Sequence, residues 1–166
     1  MQKHISTLLI FIISHFLLFG CAATPENLSG PVIVAVWDME DLSCKDSSGK
    51  DLGQILSAEI IESLKTIGGY QVVERQRLLL VLEELNFGSS SLADKSTRLH
   101  IGKIAGATCM VFGGYQIIGD AMRIDLRLVD VSSGKIMHAS GKTASSSNLT
   151  EWLSAARDAA ADLVQQ

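Results

Sequence analysis

The stretch "PVIVAVWD", residues 31–38, constrains this fold more than any other part of the chain. Pro31 fixes the entry, and Val32 to Trp37 then run apolar without a polar break. A strand with one wet face alternates apolar and polar residues, whereas an unbroken run of this kind is typical of a strand buried on both faces. Such a strand belongs in α/β architecture, where helices pack on a sheet.

The rest of the chain supplies the helices and further strands. Leu52, Ile55, Leu56, Ile60 and Leu64 recur at helical spacing and stop at Gly68-Gly69. Asp51 with Gln54 gives that helix a capping-box-like start. "MEDLSCKDSSGK" before it reads as loop, "YQVVE" as a second strand, and "RQRLLLVLEEL" as a leucine-rich helix. "GSSSLADKS" is loop, and "TRLHIGKIAG" is a short third helix closed by Gly106. "TCMVFGGYQII" is a third strand, in which Gly113 and Gly114 mark a bulge or a close backbone approach.

In "AMRIDLRLVDV", Met122, Ile124, Leu126 and Leu128 alternate with Arg123, Asp125 and Arg127, the pattern of a half-exposed antiparallel strand. "SSG" at 132–134 turns it into "KIMHASGKT" as a hairpin. Asn148 with Glu151 is a second capping box, opening a final helix whose inner stripe is Leu149, Leu153, Ala156, Ala160 and Leu163. The expected order is β-α-β-α-α-β-β-β-α, one mixed β-sheet with packed helices, over residues 31–166.

The first 20 residues have a different character. One Lys near the start precedes an apolar run from Ile5 to Phe19 that is broken by Ser6, Thr7, Ser14 and His15. A spanning helix needs about 20 predominantly apolar residues; a shorter run with a basic start and small residues at its end is the layout of a secretory signal. "LFGC" resembles the bacterial lipobox, with Phe19 bulkier than usual before Gly20. The resemblance implies cleavage before Cys21, a diacylglyceryl thioether on its sulfur and N-acylation. An ordinary signal peptide cut near "CAA" is the alternative, and it would leave a soluble protein. Several acyl chains anchor stably where one chain is marginal. Ala22 after the Cys favours outer-membrane sorting in a Gram-negative cell, and the polar residues 21–30 then read as a lipidated tether.

The mature chain, residues 21–166, suits one domain with a full core. The whole chain carries a net charge of −4, and the mature form loses only Lys3 among its charges. An acidic chain without a basic run has no electrostatic footprint for nucleic acid. Cys44 and Cys109 remain; an oxidising envelope would let them pair, while Cys109, opening an apolar strand, is equally suited to be a buried free thiol.

Tests for chemistry mostly fail. "SGKT" at 140–143 resembles the tail of a phosphate loop, but Ile136 stands where the first glycine is needed and "ASSSN" follows in place of a helix. It reads as a strand end. His100 and His138 sit in no nucleophile–base–orienter set. Two Cys and two His, far apart in sequence, give no zinc pattern. "DMED" places Asp38, Glu40 and Asp41 where the first strand ends, the usual ligand position in an α/β sheet; a cation or polar-ligand site competes there with a solvated acidic loop. Arg123 and Arg127 around Asp125 suit a partner surface or a merely soluble face. The residues thus describe an envelope-anchored domain that is not an enzyme and needs no cofactor or metal.

"VVERQRLLLVLEE", "GATCMVFGGY" and "IDLRLVDVSSGKI" resemble the curli-secretion channel lipoprotein family (CsgG/HfaB) and its shorter relatives. These include the flagellar outer-membrane lipoprotein FlgO and, more distantly, the lipoproteins that activate penicillin-binding proteins. The family pattern falls on Glu74, Arg75, Leu78, Glu84, Gly106, Ala107, Leu128, Val129, Asp130, Val131 and Gly134, within roughly residues 32–143. The channel members of such a family add two membrane hairpins to this domain, and a spanning strand takes about 9–11 residues. Here only "IIGDA" and "ASSSN" occupy the two hairpin positions, so the resemblance implies the periplasmic domain without the pore.

It further implies a lipoprotein on the periplasmic face of the outer membrane, a non-enzymatic accessory of an envelope machine: curli-type secretion, a flagellum or a cell-wall synthase. Its partners would be the membrane, through the lipid, and a periplasmic or outer-membrane protein. Two alternatives stand beside it, a homo-oligomeric ring or scaffold and a small-ligand sensor using Asp38, Glu40 and Asp41.

Overall fold

The computed structural model describes residues 31–43, 51–85 and 94–165. Along them run β1 (Val32–Val36), β2 (Glu40–Asp41), α1 (Leu52–Ile67), β3 (Tyr70–Val72), α2 (Arg75–Glu84), α3 (Lys95–Ile104), β4 (Cys109–Ile118), β5 (Ala121–Asp130), β6 (Ile136–Ala144) and α4 (Leu149–Val164). This is the expected α/β order with one addition, the two-residue β2. The proposed signal peptide, the tether with Cys21, and Cys44 lie outside the described residues.

The strands form one mixed sheet in the order β3-β1-β4-β5-β6, with β2 also beside β4. β1 is parallel to both β3 and β4, so each neighbour is reached by a crossover through helices. β4, β5 and β6 are antiparallel and need only turns. Gly119, at φ 62°, and Asp120 join β4 directly to β5.

β2 continues the line of β1 after a bow. Val36 pairs with Val111 and Glu40 with Gly114, so the β1–β2 side spends one more residue than β4 does. A bow inside a packed sheet exposes backbone groups that need partners. Trp37 N–H donates to Val111 O (3.0 Å). Met39 N–H donates to Ser57 Oγ (2.9 Å), and that hydroxyl donates to Gly53 O (2.7 Å). Ser57 is wholly buried, which explains a polar residue on the inner face of α1. A Cβ at Gly53 would collide with Met39 O, so α1 approaches the bow only because Gly53 has no side chain.

Helices α1 and α4 cover one face of the sheet. Leu56, Ile60 and Leu64 of α1 and Ala156, Ala160 and Leu163 of α4 meet Val34, Val36, Cys109, Val111, Met122, Ile124, Leu126 and Leu128. Each fully buried aliphatic side chain contributes about 1.5–3 kcal/mol. The inner stripe of α4 is mostly alanine, which brings its backbone close to the sheet: Ser140 Oγ on β6 donates to Ala159 O (2.7 Å). Helices α2 and α3 cover the other face through Leu78, Val81, Leu82, Ile101 and Ala105, which pack on Ala35, Trp37 and Met110. β1 is therefore covered on both faces, as its unbroken apolar run requires. That second core contains no residue of β5 or β6.

Several local expectations are corrected. Ile55 and Leu149 are 42% and 45% exposed, while Ile61, Ala155 and Ala159 are buried in the helical stripes. Asp51 is backbone-helical and makes no side-chain cap bond, so no capping box forms there. Asn148 does cap, accepting from Thr150 N–H (2.9 Å). α3 starts two residues before Thr97 because Asp94 accepts from Thr97 N–H (2.8 Å). That bond, with help from Ser96, holds the Asp94 carboxyl below the ordinary carboxylate range. Gly113 and Gly114 mark close approach and no bulge, since the β4–β5 register is continuous through them. A Cβ at Gly113 would lie 2.7 Å from Met39 Sδ, and one at Gly114 2.6 Å from Leu42 Cδ1. The bulge falls instead in the β5–β6 ladder, where the register slips between Leu128 and Val129.

Candidate binding groove on the open sheet face

Because α2 and α3 stop at β4, the face of β5 and β6 opposite α1 and α4 carries no helix among the described residues. Register sets what this face presents. Phe112, Arg127 and Ala139 form one row across β4, β5 and β6, and Gly114, Asp125 and Gly141 form the next. The small residues on β6 leave the β5 side chains standing above a low shelf. The N-terminal turn of α3 borders it with Lys95 and Arg98. The end of β1 and its bow contribute Trp37, Asp38, Glu40 and Leu42. Together with Val129 and Ile136 these residues line a groove of about 290 Å³.

Three carboxylates line the groove, and each has an arginine. Asp38 accepts from Arg75 Nε (3.0 Å) and Nη2 (2.7 Å), a bidentate pair that joins the end of β1 to the start of α2. This bond raises the Arg75 pKa further above its ordinary value. Glu40 pairs with Arg98, whose guanidinium also lies 5.6 Å from the Trp37 ring centre. Asp125 accepts from Arg123 Nε (2.8 Å) and Nη2 (2.7 Å). The hydrogen bonds from that guanidinium above all hold the Asp125 carboxyl below its usual range; burial opposes them, and the Arg123 and Arg127 charges add smaller downward effects.

The residues of the sensor reading are thereby separated. Asp38 and Glu40 reach the groove, each engaged by an arginine, whereas Asp41 accepts from Ser43 N–H (2.8 Å) in its own turn. No group of three His, Cys, Asp or Glu side chains among the described residues is placed to hold a metal ion. His100 is exposed on α3 and His138 half-buried on β6. "SGKT" lies inside β6, as a strand end and not a phosphate loop. Cys109 is wholly buried, and desolvation pushes its thiol pKa up; its Sγ lies 3.7 Å from Met137 Sδ.

The signature residues occupy corners of the fold. Glu74 stands at the N-cap of α2 and pairs with Lys65 (3.2 Å). Leu78 is buried beneath α2, and Glu84 ends that helix. Gly106, at φ 87°, closes α3, and Ala107 N–H donates to Gly102 O (2.9 Å). Asp130 accepts from Ser133 N–H (2.7 Å) and from the Ser132 and Ser133 hydroxyls, while Gly134, at φ 68°, completes the hairpin turn. The sequence reading missed the partner of Arg75. The available signal was an Asp just past one strand and an Arg just past a second, since neighbouring parallel strands bring such ends together.

Among curated proteins, none matches the sequence significantly. Solved structures share the fold at low identity. The C-terminal domain of LpoB from Escherichia coli aligns with a TM-score of 0.60 at 12% identity, over 72% of this chain and 87% of that one. Lipoprotein GNA1162 from Neisseria meningitidis aligns with a TM-score of 0.53 at 16% identity, over 82% of this chain and 100% of that one. A PelC dodecamer from Paraburkholderia phytofirmans aligns with a TM-score of 0.50 at 15% identity, over 81% and 88%. The curli production assembly/transport component family, CsgG, matches residues 18–119, more than half of the sequence, and the chain belongs to that family.

Proposed function

We propose that this protein is a non-enzymatic accessory factor of an envelope assembly or export machine, tethered through Cys21 to the periplasmic face of the outer membrane. The family match carries the reading, because it names an assembly and transport component and spans strands β1 to β4 and helices α1 to α3. Two observations give it shape. Gly119 and Asp120 alone connect β4 to β5, which leaves no length there for a membrane-spanning hairpin. The groove carboxylates are occupied by arginines, which suits a binding surface better than proton-transfer chemistry. The chain thus corresponds to the family's soluble-facing domain used as an adaptor. The machine it serves, whether curli-type secretion, flagellum or wall synthase, is read from the family resemblance.

Metabolic labelling with palmitate tests the anchor. The intact chain is expected to take up label and fractionate with outer membranes, and Cys21→Ala to take up none. An unlabelled intact chain in the soluble periplasm would overturn the reading.

A second reading, a ring or scaffold of identical chains, draws on the dodecameric PelC of similar fold. It demands a stable homo-oligomer, which a native mass decides.

A further inference from the structure

The groove on the open sheet face is lined by three cations, Lys95, Arg98 and Arg127, and three carboxylates; Arg75 and Arg123, paired to two of those carboxylates from outside the lining, leave a local excess of positive charge in a chain whose overall charge is −4. Its carboxylates Asp38, Glu40 and Asp125 are each neutralised by an arginine. Of the three lining cations, Lys95 at the start of α3 and Arg127 in the middle of β5 make no ion pair among the described residues. Charges left unpaired beside apolar surface attract an opposite charge more strongly than the same charges in open water do.

The apolar surface is also there. Ile136 is 51% exposed and Leu42 is 56% exposed, with half-buried Phe112 also in the lining. Leu42 rests over Gly114, and Ala139 and Gly141 keep the β6 side of the shelf low. An occupant can therefore lie flat across β4, β5 and β6 without displacing a side chain. These features call for negative charge interleaved with aliphatic or aromatic groups.

We infer that this groove docks an acidic, apolar-anchored peptide segment of a partner protein, with carboxylates meeting Lys95 and Arg127 and an apolar side chain seated among Phe112, Ile136 and Leu42. The inference deepens the adaptor reading and rests on it for the identity of the partner as an envelope protein. Recognition at the groove itself does not depend on Cys21, so binding and anchoring are measured separately.

The test is fluorescence anisotropy with the full chain purified in detergent. The probe is a labelled synthetic peptide alternating Glu with Leu and Phe; the control peptide carries Lys in place of each Glu. Saturable binding of the Glu peptide, weakened at least tenfold by Arg127→Glu and by Lys95→Glu, is the expected result. Arg77→Glu, the same charge change on the exposed face of α2 outside the groove, should leave affinity unchanged. Melting curves of each variant establish that the exposed substitutions keep the fold. Equal binding of both peptides, no binding of either, or equal loss in the Arg77 variant would overturn the inference. So would self-association of the unliganded chain that Arg127→Glu abolishes, since the groove would then be an interface between copies.

Discussion

Ser57 does at residue scale what the sequence could not announce: its buried hydroxyl satisfies the backbone bow between β1 and β2. Ser57→Ala leaves the buried Met39 N–H without its acceptor, a loss of about 1–3 kcal/mol. Urea denaturation should show that loss with an unchanged m-value. Asp38 and Arg75 form the other residue-scale joint. Both side chains are partly exposed, at 24% and 33%, so a double-mutant cycle on Asp38→Ala and Arg75→Ala should give a coupling of about 1 kcal/mol and not the larger value of a buried pair. Asp94, Asp125 and Asp130 all have folded-state pKa values depressed by hydrogen bonds. A depressed carboxyl stabilises the fold above its unfolded pKa, about 3.9, and the contribution disappears as pH falls below that value through the folded pKa. The melting temperature should therefore decline on acidification below about pH 4, and Asp130→Asn should decline less steeply over that window. A melting profile that is flat from neutral pH into that acid range would contradict the assignment.

At the scale of elements, periodicity located strands and helices well and located their faces less well. The unbroken "VIVAV" and the alternation of β5 were legible because each pattern permits only one kind of burial. α1 and α4 were placed correctly, but Ile55 and Leu149 were put inside on the strength of being large and apolar. The packing instead uses Ile61, Ala155 and Ala159, because the alanine face of α4 sits close to β6 and α1. This predicts opposite outcomes for two substitutions. Ile55→Ser should change stability by no more than about 0.5 kcal/mol. Ala160→Leu should destabilise by about 1–3 kcal/mol or more, because a larger side chain must push α4 off the sheet. Chemical denaturation of the two variants distinguishes this face from the one drawn by hydrophobicity alone. β2 is illegible because two residues carry no period, and the start of α3 is hidden because its cap, Asp94, ends a stretch of loop-like composition.

At the scale of the whole molecule, the groove is defined by what α2 and α3 do not cover, and no local pattern records how far across a sheet a pair of helices will reach. The Asp38–Arg75 and Glu40–Arg98 pairs span 37 and 58 positions in sequence and become visible only once β1, β3 and β4 are placed side by side. The acidic turn "DMED" was rightly placed at a strand end, yet its charges are mostly spent on the protein's own arginines. What remains is a domain with one sheet face left open by the helices and a two-residue turn between β4 and β5. The most direct measurement is the native mass, by light scattering, of the protein extracted gently from outer membranes. A mass of one lipidated chain in its detergent micelle is expected for an adaptor. A ring-sized assembly, or recovery of the protein outside the membrane fraction, would contradict it.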